Sequence, residues 1–336
     1  MRGAKVYFFL YEKIFLCKIL RNILYKIFLI FARMLINQIS KLKKAKNAII
    51  LAHYYTLPEV QDIADFVGDS LVLSKQAAVT QADIILFAGV HFMAETAKIL
   101  SPQKKILIPD LNAGCSLADS CPAEELEKFL KNYPEHKVLS YINCSAKVKT
   151  LSDIIVTSGN ALKIVNALPK DEKIVFTPDR NLGAYINKET GREMALWNGA
   201  CHVHDQLTAE EIYKLKATYP KAKVLAHPEC KATVLEVADF IGSTAAMLQF
   251  TKNDDAIAYI VATETGILYE MQKQNPTKQF YVVNNPITCS CNNCEYMKLN
   301  TLEKIYNALQ TESPEIILED ELIKKAVYPI QKMFDY

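Results

Sequence analysis

No Gly-x-Gly-x-x-Gly and no Gly-x-x-x-x-Gly-Lys-Ser/Thr occurs in the 336 residues, so neither a dinucleotide nor a nucleoside triphosphate is indicated as a bound group. Excess charge is also missing. The chain has 39 Lys and Arg against 37 Asp and Glu, a formal net charge of +2, which gives nucleic acid no electrostatic reason to bind. It has no secretory signal with a small-residue cleavage site, no apolar run long enough to cross a bilayer, and no low-complexity linker. Cysteine is not scarce. Nine cysteines, odd in number and scattered, do not suit a disulfide scaffold; metal or cluster ligation in a reducing cytoplasm fits them better.

Acids are rare at the start. Residues 1–33 carry seven Lys and Arg against one Glu, interleaved with aromatics, Ile and Leu, and uncharged runs such as Ile27 to Ala32 are far too short to span a membrane. Such a stretch suits either a basic amphipathic surface helix or an untranslated upstream artefact, with translation beginning at Met34. We expect the artefact, because LINQISKLKKAKN already makes a sensible first helix. Cys17 receives no role.

An internal repeat organises the rest. NAIILAHYYTLPEVQDIADFVGDS at 47–70, KVLSYINCSAKVKTLSDIIVTSGN at 137–160 and KVLAHPECKATVLEVADFIGSTAA at 223–246 align on three sets of markers. His53, Tyr141 and His227 are one set, Asp65, Asp153 and Asp239 the second, and Ser70, Ser158 and Thr244 the third. All three share the same pair of spacings. Residues 83–110 also match 257–284, with Pro102 over Pro276, and the shorter second unit rejoins at KIVFTPD, 173–179.

Each unit opens with an Ile/Val/Leu run lacking alternation, which reads as a strand buried on both faces. A helical stretch, a second strand and another helix follow. This β-α-β order predicts an α/β protein of three similar three-layer αβα domains, with short parallel sheets around a pseudo-threefold axis and the active site at its centre. The expected divisions are the 1–33 extension, units at 34–123, 124–209 and 210–300, and a C-terminal helical segment at 301–336 that joins the first unit. Ligand groups in such folds sit beyond the carboxyl ends of strands. The Ser/Thr after each second strand therefore suits an anion, or serves as an ordinary helix cap; three in register favour the first reading.

Cysteine recurs at one relative place in each unit: Cys115 in LNAGCSLADSCP, Cys201 in WNGACHVHDQ, and Cys289, Cys291 and Cys294 in TCSCNNCEYM. Three thiolates from three loops suit a cubane cluster that keeps one iron open as a Lewis acid. A zinc site in the Cys-x-Cys-x-x-Cys run is the alternative, but no second Cys or His pair follows it. Cys121, Cys144 and Cys230 read as small buried residues.

AHYYTLPEVQDIADFVGDS, YINCSAKVK, TSGNA, NGACHVH, AHPEC, IGST and CEYMKLN, in this order over about residues 35–310, resemble the quinolinate synthase family of de novo NAD biosynthesis. The resemblance implies a [4Fe–4S] enzyme. It would condense iminoaspartate with dihydroxyacetone phosphate to quinolinate, losing phosphate and water, with the open iron as Lewis acid. It implies Cys115, Cys201 and Cys294 as ligands. Repeat register instead sets Cys289 over Cys115, but the family's ligand precedes an aromatic–Met pair, here Tyr296–Met297; Glu295 stands where proline is commoner. It further implies Tyr55, Tyr141, His227 and Glu229 as proton-moving groups. His53, Asp69, Ser70, Asn143, Ser158, His204, Ser243 and Thr244 would contact substrate.

The implied setting is the cytoplasm, with an aspartate oxidase or dehydrogenase supplying the imine and neither nucleic acid nor a membrane span involved. His91 reads as a helix-start residue, His136 as loop, and Trp197 as packing beside a cysteine loop. His202 stays outside the site. The rival readings are a hydro-lyase acting on another small anion, an electron-transfer or redox-sensing iron–sulfur protein, and a membrane-surface protein anchored by its basic start.

Overall fold

The computed structural model describes residues 31–283 and 292–336. Cys17, Cys289, Cys291 and most of the basic extension lie outside the described residues. The chain folds as α/β, with three separate four-stranded parallel sheets. In the first sheet the strands are β1 (Ala48–His53), β2 (Phe66–Gly68), β3 (Ile84–Ala88) and β4 (Lys105–Leu107). The second holds β5 (Lys137–Tyr141), β6 (Ile154–Val156), β7 (Ile174–Thr177) and β8 (Ala195–Leu196). The third holds β9 (Lys223–Ala226), β10 (Phe240–Ile241), β11 (Ala258–Ala262) and β12 (Gln279–Val282).

Each sheet has the same order, second strand–first–third–fourth. Helices connect the strands, and the apolar runs are buried along most of their length, as β3 is throughout. Covered faces of this kind are what allow a short parallel sheet to be stable.

The repeated aspartates have one structural task. Asp65 accepts the backbone N–H of Ile50, Asp153 that of Val138 and Asp239 that of Val224, each at 2.7 Å. In return the backbone N–H of each Asp donates to the carbonyl of the same strand residue, at 2.9, 2.9 and 2.8 Å. The carboxylate brackets the first strand against the turn into the second, satisfying backbone donors that would be costly to bury unpaired. The register read from sequence is thus a register of bonds.

The C-terminal segment spans two units. Helix Leu302–Thr311 contributes Leu302, Ile305, Ala308 and Leu309 to a core shared with β1 and β3. The 313–316 stretch then runs antiparallel beside β4, with bonds between Ile108 and Pro314 and between Ile316 and Ile106. Helix Asp320–Lys332 finally packs against helix His91–Leu100 of the first unit, and against helix Ala146–Lys149 and β6 of the second. Among the described residues, no helix is long and apolar enough to cross a membrane.

Candidate active site

The carboxyl ends of all three sheets converge on one cavity. His53 closes β1, with Tyr55 just after it; Asp69 and Ser70 follow β2, Tyr141 and Asn143 end and follow β5, and Ser158 follows β6. His227 and Glu229 follow β9, and Thr244 follows β10. The connections after the fourth strands bring Cys115, Cys201, His204 and Cys294 to the same wall. Ser243 does not line the cavity. It caps helix Thr244–Asn253, accepting from the Ala246 N–H at 3.3 Å, and its hydroxyl donates to Asp69 at 3.4 Å.

The helix caps fall one residue before the aligned hydroxyls. Asp69 caps helix Ser70–Val79 and Ser243 caps helix Thr244–Asn253, so the Ser70 and Thr244 hydroxyls are not consumed by capping. The second unit differs: Asn160, two residues after Ser158, makes no side-chain cap bond to its helix, and its Oδ1 accepts the Thr157 N–H at 2.7 Å. Ser158 is left to bond the Tyr141 phenol.

A continuous hydrogen-bonded chain crosses the cavity. The Tyr55 hydroxyl lies 2.8 Å from Thr244 Oγ1 and 2.9 Å from Thr263 Oγ1. Thr263 in turn is 2.8 Å from His204 Nε2. His204 Nδ1 is 2.8 Å from Glu229 Oε2, which is 3.2 Å from His227 Nδ1. The two imidazoles stack with centroids 4.6 Å apart. These links come from all three units, so the chain exists only in the folded assembly of the repeats.

Burial sets the protonation states. It drives the His53 imidazole down to about 3, helped by the charges of His227 and Lys298 and opposed by Glu229. His53 is therefore neutral. Its Nδ1 accepts the Tyr55 N–H at 3.1 Å, leaving the ring proton on Nε2. Burial also pushes the Tyr55 and Tyr141 phenols well above their ordinary value. Burial works to raise Glu229 too, but His204 and His227 outweigh it and hold the carboxyl well below the usual range, so it stays ionised between them.

His227 is lowered by burial and partly supported by Glu229. Its Nδ1 faces both the Glu229 carboxylate and, at 3.4 Å, the Glu229 backbone N–H. One nitrogen serves one role at a time, so the tautomer can switch.

The cysteines sit where helical turns begin. Cys115 caps helix Ser116–Asp119, Cys294 caps helix Glu295–Lys298, and Cys201 precedes the 3₁₀ turn His204–Gln206. Burial pushes the thiols of Cys115 up to about 12, Cys294 up to about 11, and Cys201 well above its ordinary value. Backbone N–H groups of Ala118 and Leu117, of Met297 and Tyr296, and of His204 pull the other way. A soft metal that binds here displaces those protons and inherits a ready set of N–H donors to sulfur.

Among the described residues, the group of three ligand atoms lying within 4.8 Å of one another is Cys201, His204 and Glu229; the three thiols do not gather about a single ion. Two buried oxygens in the cavity wall, Asn143 Oδ1 and Glu229 Oε1, have no partner in the protein. Buried polar atoms of this kind await a ligand or water.

Several residues of the site carried no signal in the sequence. Thr263 ends no motif, and Glu264 and Thr157 look like ordinary strand-end residues. His202 does line the cavity, bonding Ser116 at 2.6 Å and meeting Tyr296 edge-on. Outside the cavity, His91 opens helix His91–Leu100, and Trp197 packs on Phe129 with its indole N–H on the Ser120 carbonyl at 3.0 Å. Cys121, Cys144 and Cys230 are buried in cores.

Comparison with known proteins agrees with this architecture. Residues 37–335 match the family described as quinolinate synthetase A protein. A quinolinate synthase of Synechocystis sp. is 56% identical over 301 residues, covering 90% of this chain and 95% of the relative. That of Thermosynechococcus vestitus is 55% identical over 302 residues, 90% and 95%. That of Cyanophora paradoxa is 53% identical over 303 residues, 90% and 92%.

Proposed function

Because the chain belongs to the quinolinate synthetase A protein family, we propose that it condenses iminoaspartate with dihydroxyacetone phosphate to quinolinate, releasing one phosphate and two waters. The observation that carries this reading is the single cavity in which one cysteine from each unit faces a wall of hydroxyl, phenol and imidazole groups. Cys115, Cys201 and Cys294 would hold a [4Fe–4S] cluster. When bound, that cluster supplies Lewis acidity toward a hydroxyl or carboxylate oxygen at its iron without a cysteine.

The substrates bring a phosphate and two carboxylates. Ser70, at the start of helix Ser70–Val79, and Ser158, in the turn before helix Ala161–Ala167, offer hydroxyls to anionic oxygens, with Thr244 beside them. Neutral His53 donates through Nε2–H and adds specificity without a competing charge. Asn143 Oδ1, buried without a partner, accepts from a substrate hydroxyl or imine N–H, and Asp69 orients the segment through its cap.

Joining the imine to the three-carbon unit and aromatising the ring require protons to leave carbon and to reach departing hydroxyls. Glu229, ionised between two imidazoles, is the base. His204 and His227 accept what it takes up, and the Thr263–Tyr55 arm returns a proton at the phenol oxygen. Tyr141, held neutral by burial, donates to a substrate oxygen. Six described free cysteines suit a reducing compartment, so we place the enzyme in the cytoplasm beside an aspartate-oxidising enzyme that supplies the unstable imine.

The test is anaerobic incubation of cluster-loaded protein with dihydroxyacetone phosphate and enzymatically generated iminoaspartate. Quinolinate and phosphate should appear in equal amounts, with none from the metal-free protein. An intact cluster with no quinolinate would favour the electron-transfer reading.

A further inference from the structure

Two buried carboxylates stand behind two of the three cysteines at matching places in the repeat. Asp179 and Glu264 each lie two residues past the third strand of their sheet, β7 and β11, and both are fully buried. Asp179 Oδ2 accepts the backbone N–H of Cys201 at 3.1 Å, and Glu264 Oε1 that of Cys294, also at 3.1 Å. The second oxygens are engaged as well. Asp179 Oδ1 accepts from Leu182 at 2.8 Å, capping helix Arg180–Thr190, and Glu264 Oε2 accepts from Gly266 at 2.5 Å. The matching residue of the first unit is Val90, which has no carboxylate to offer.

Glu264 also reaches beyond its own unit. Lys298 Nζ lies 3.0 Å from Glu264 Oε1 and donates to the Tyr55 carbonyl at 2.6 Å. Gly266 packs so closely that a Cβ there would come within 2.7 Å of Tyr55 Cα. One carboxylate thus ties the Cys294 loop to the backbone carrying the Tyr55 phenol.

We propose that Asp179 and Glu264 are positioning residues: each clamps a cysteine-bearing loop by its backbone N–H and so governs how long the metal group is retained. The inference rests on Cys201 and Cys294 being ligands. Loop position matters because a bound group is lost when one ligand swings away, and partners that orient metal ligands are worth about 10–100-fold in metal affinity.

The isosteric variants D179N and E264Q isolate the effect. Asparagine is a good helix cap, so its one oxygen can keep the Leu182 bond while its NH₂ faces the Cys201 N–H and cannot accept from it. The experiment loads each protein with cluster anaerobically and follows iron release to a ferrous chelator, alongside thermal melts of the metal-free chains. D153N, which perturbs the carboxylate bracketing β5 away from the cysteines, controls for general destabilisation, and C201A controls for the ligand assignment.

D179N and E264Q should release iron about 10–100-fold faster than wild type. D153N should lower the melting temperature with iron release unchanged. Wild-type release from both D179N and E264Q overturns the proposal, as does equally fast release from D153N. Should D179N show no cooperative melt, E264Q alone decides. If C201A loads and keeps iron as wild type does, the ligand assignment itself is wrong and the proposal falls with it.

Discussion

Replacing Cys201 with Ala is expected to abolish quinolinate formation while leaving the metal-free chain folded. The sulfur lies close to the His204 ring, with Sγ 3.3 Å from Nδ1, and its backbone N–H is tied to Asp179 whatever the side chain. Losing one small, largely buried group from the metal-free protein should cost about 1 kcal/mol. The effect in the loaded protein is of another kind. A group bound only by the folded state stabilises that state by mass action, and a site missing one of three anchors forfeits that gain. Wild type should therefore melt at a higher temperature after anaerobic loading than before, and the variant at nearly the same temperature in both states. Wild-type turnover by the variant would remove Cys201 from the chemistry.

Glu229→Gln is expected to lower kcat by roughly 10²–10⁴-fold, the usual worth of a positioned general acid–base. The amide keeps the size and one acceptor oxygen, so the loss reports the charge and the proton it carries. Glu229 is the single carboxylate between His204 and His227, and its charge is felt by Tyr55, Tyr141 and Cys201, each of which it pushes up. KM should change far less than kcat if Glu229 acts on reacting protons rather than on substrate binding. A variant with unchanged kcat and raised KM would reassign Glu229 to binding.

These outcomes depend on an architecture that was largely readable beforehand. Asp65, Asp153 and Asp239 exposed the repeat because a strand-bracketing bond needs a short carboxylate at one fixed offset, and that constraint shows in spacing. Unbroken Ile/Val runs announced parallel sheets for an equally direct reason: both faces had to be apolar. The three cysteine loops could be found because thiols are rare enough to count.

What the sequence hid was tertiary. Thr263 joins Tyr55 to His204 only because units far apart in the chain meet there, and a threonine at a strand end looks like any other. Asp179 and Glu264 differ in side-chain length and in their neighbours, so their shared bond to a cysteine N–H emerges only once β7 and β11 are superposed by the fold. His202 was misjudged as well. It was expected outside the site, but the irregular segment after β8 turns it toward Ser116 in the cavity wall.

The most direct test of the account is the iron and acid-labile sulfide content of anaerobically reconstituted protein, measured side by side for wild type and the Cys115→Ala, Cys201→Ala and Cys294→Ala variants. Three thiols holding one cubane predict about four irons and four sulfides per wild-type chain, with both falling sharply in every variant. One zinc or iron per chain without sulfide, or cluster content untouched by all three substitutions, would contradict it.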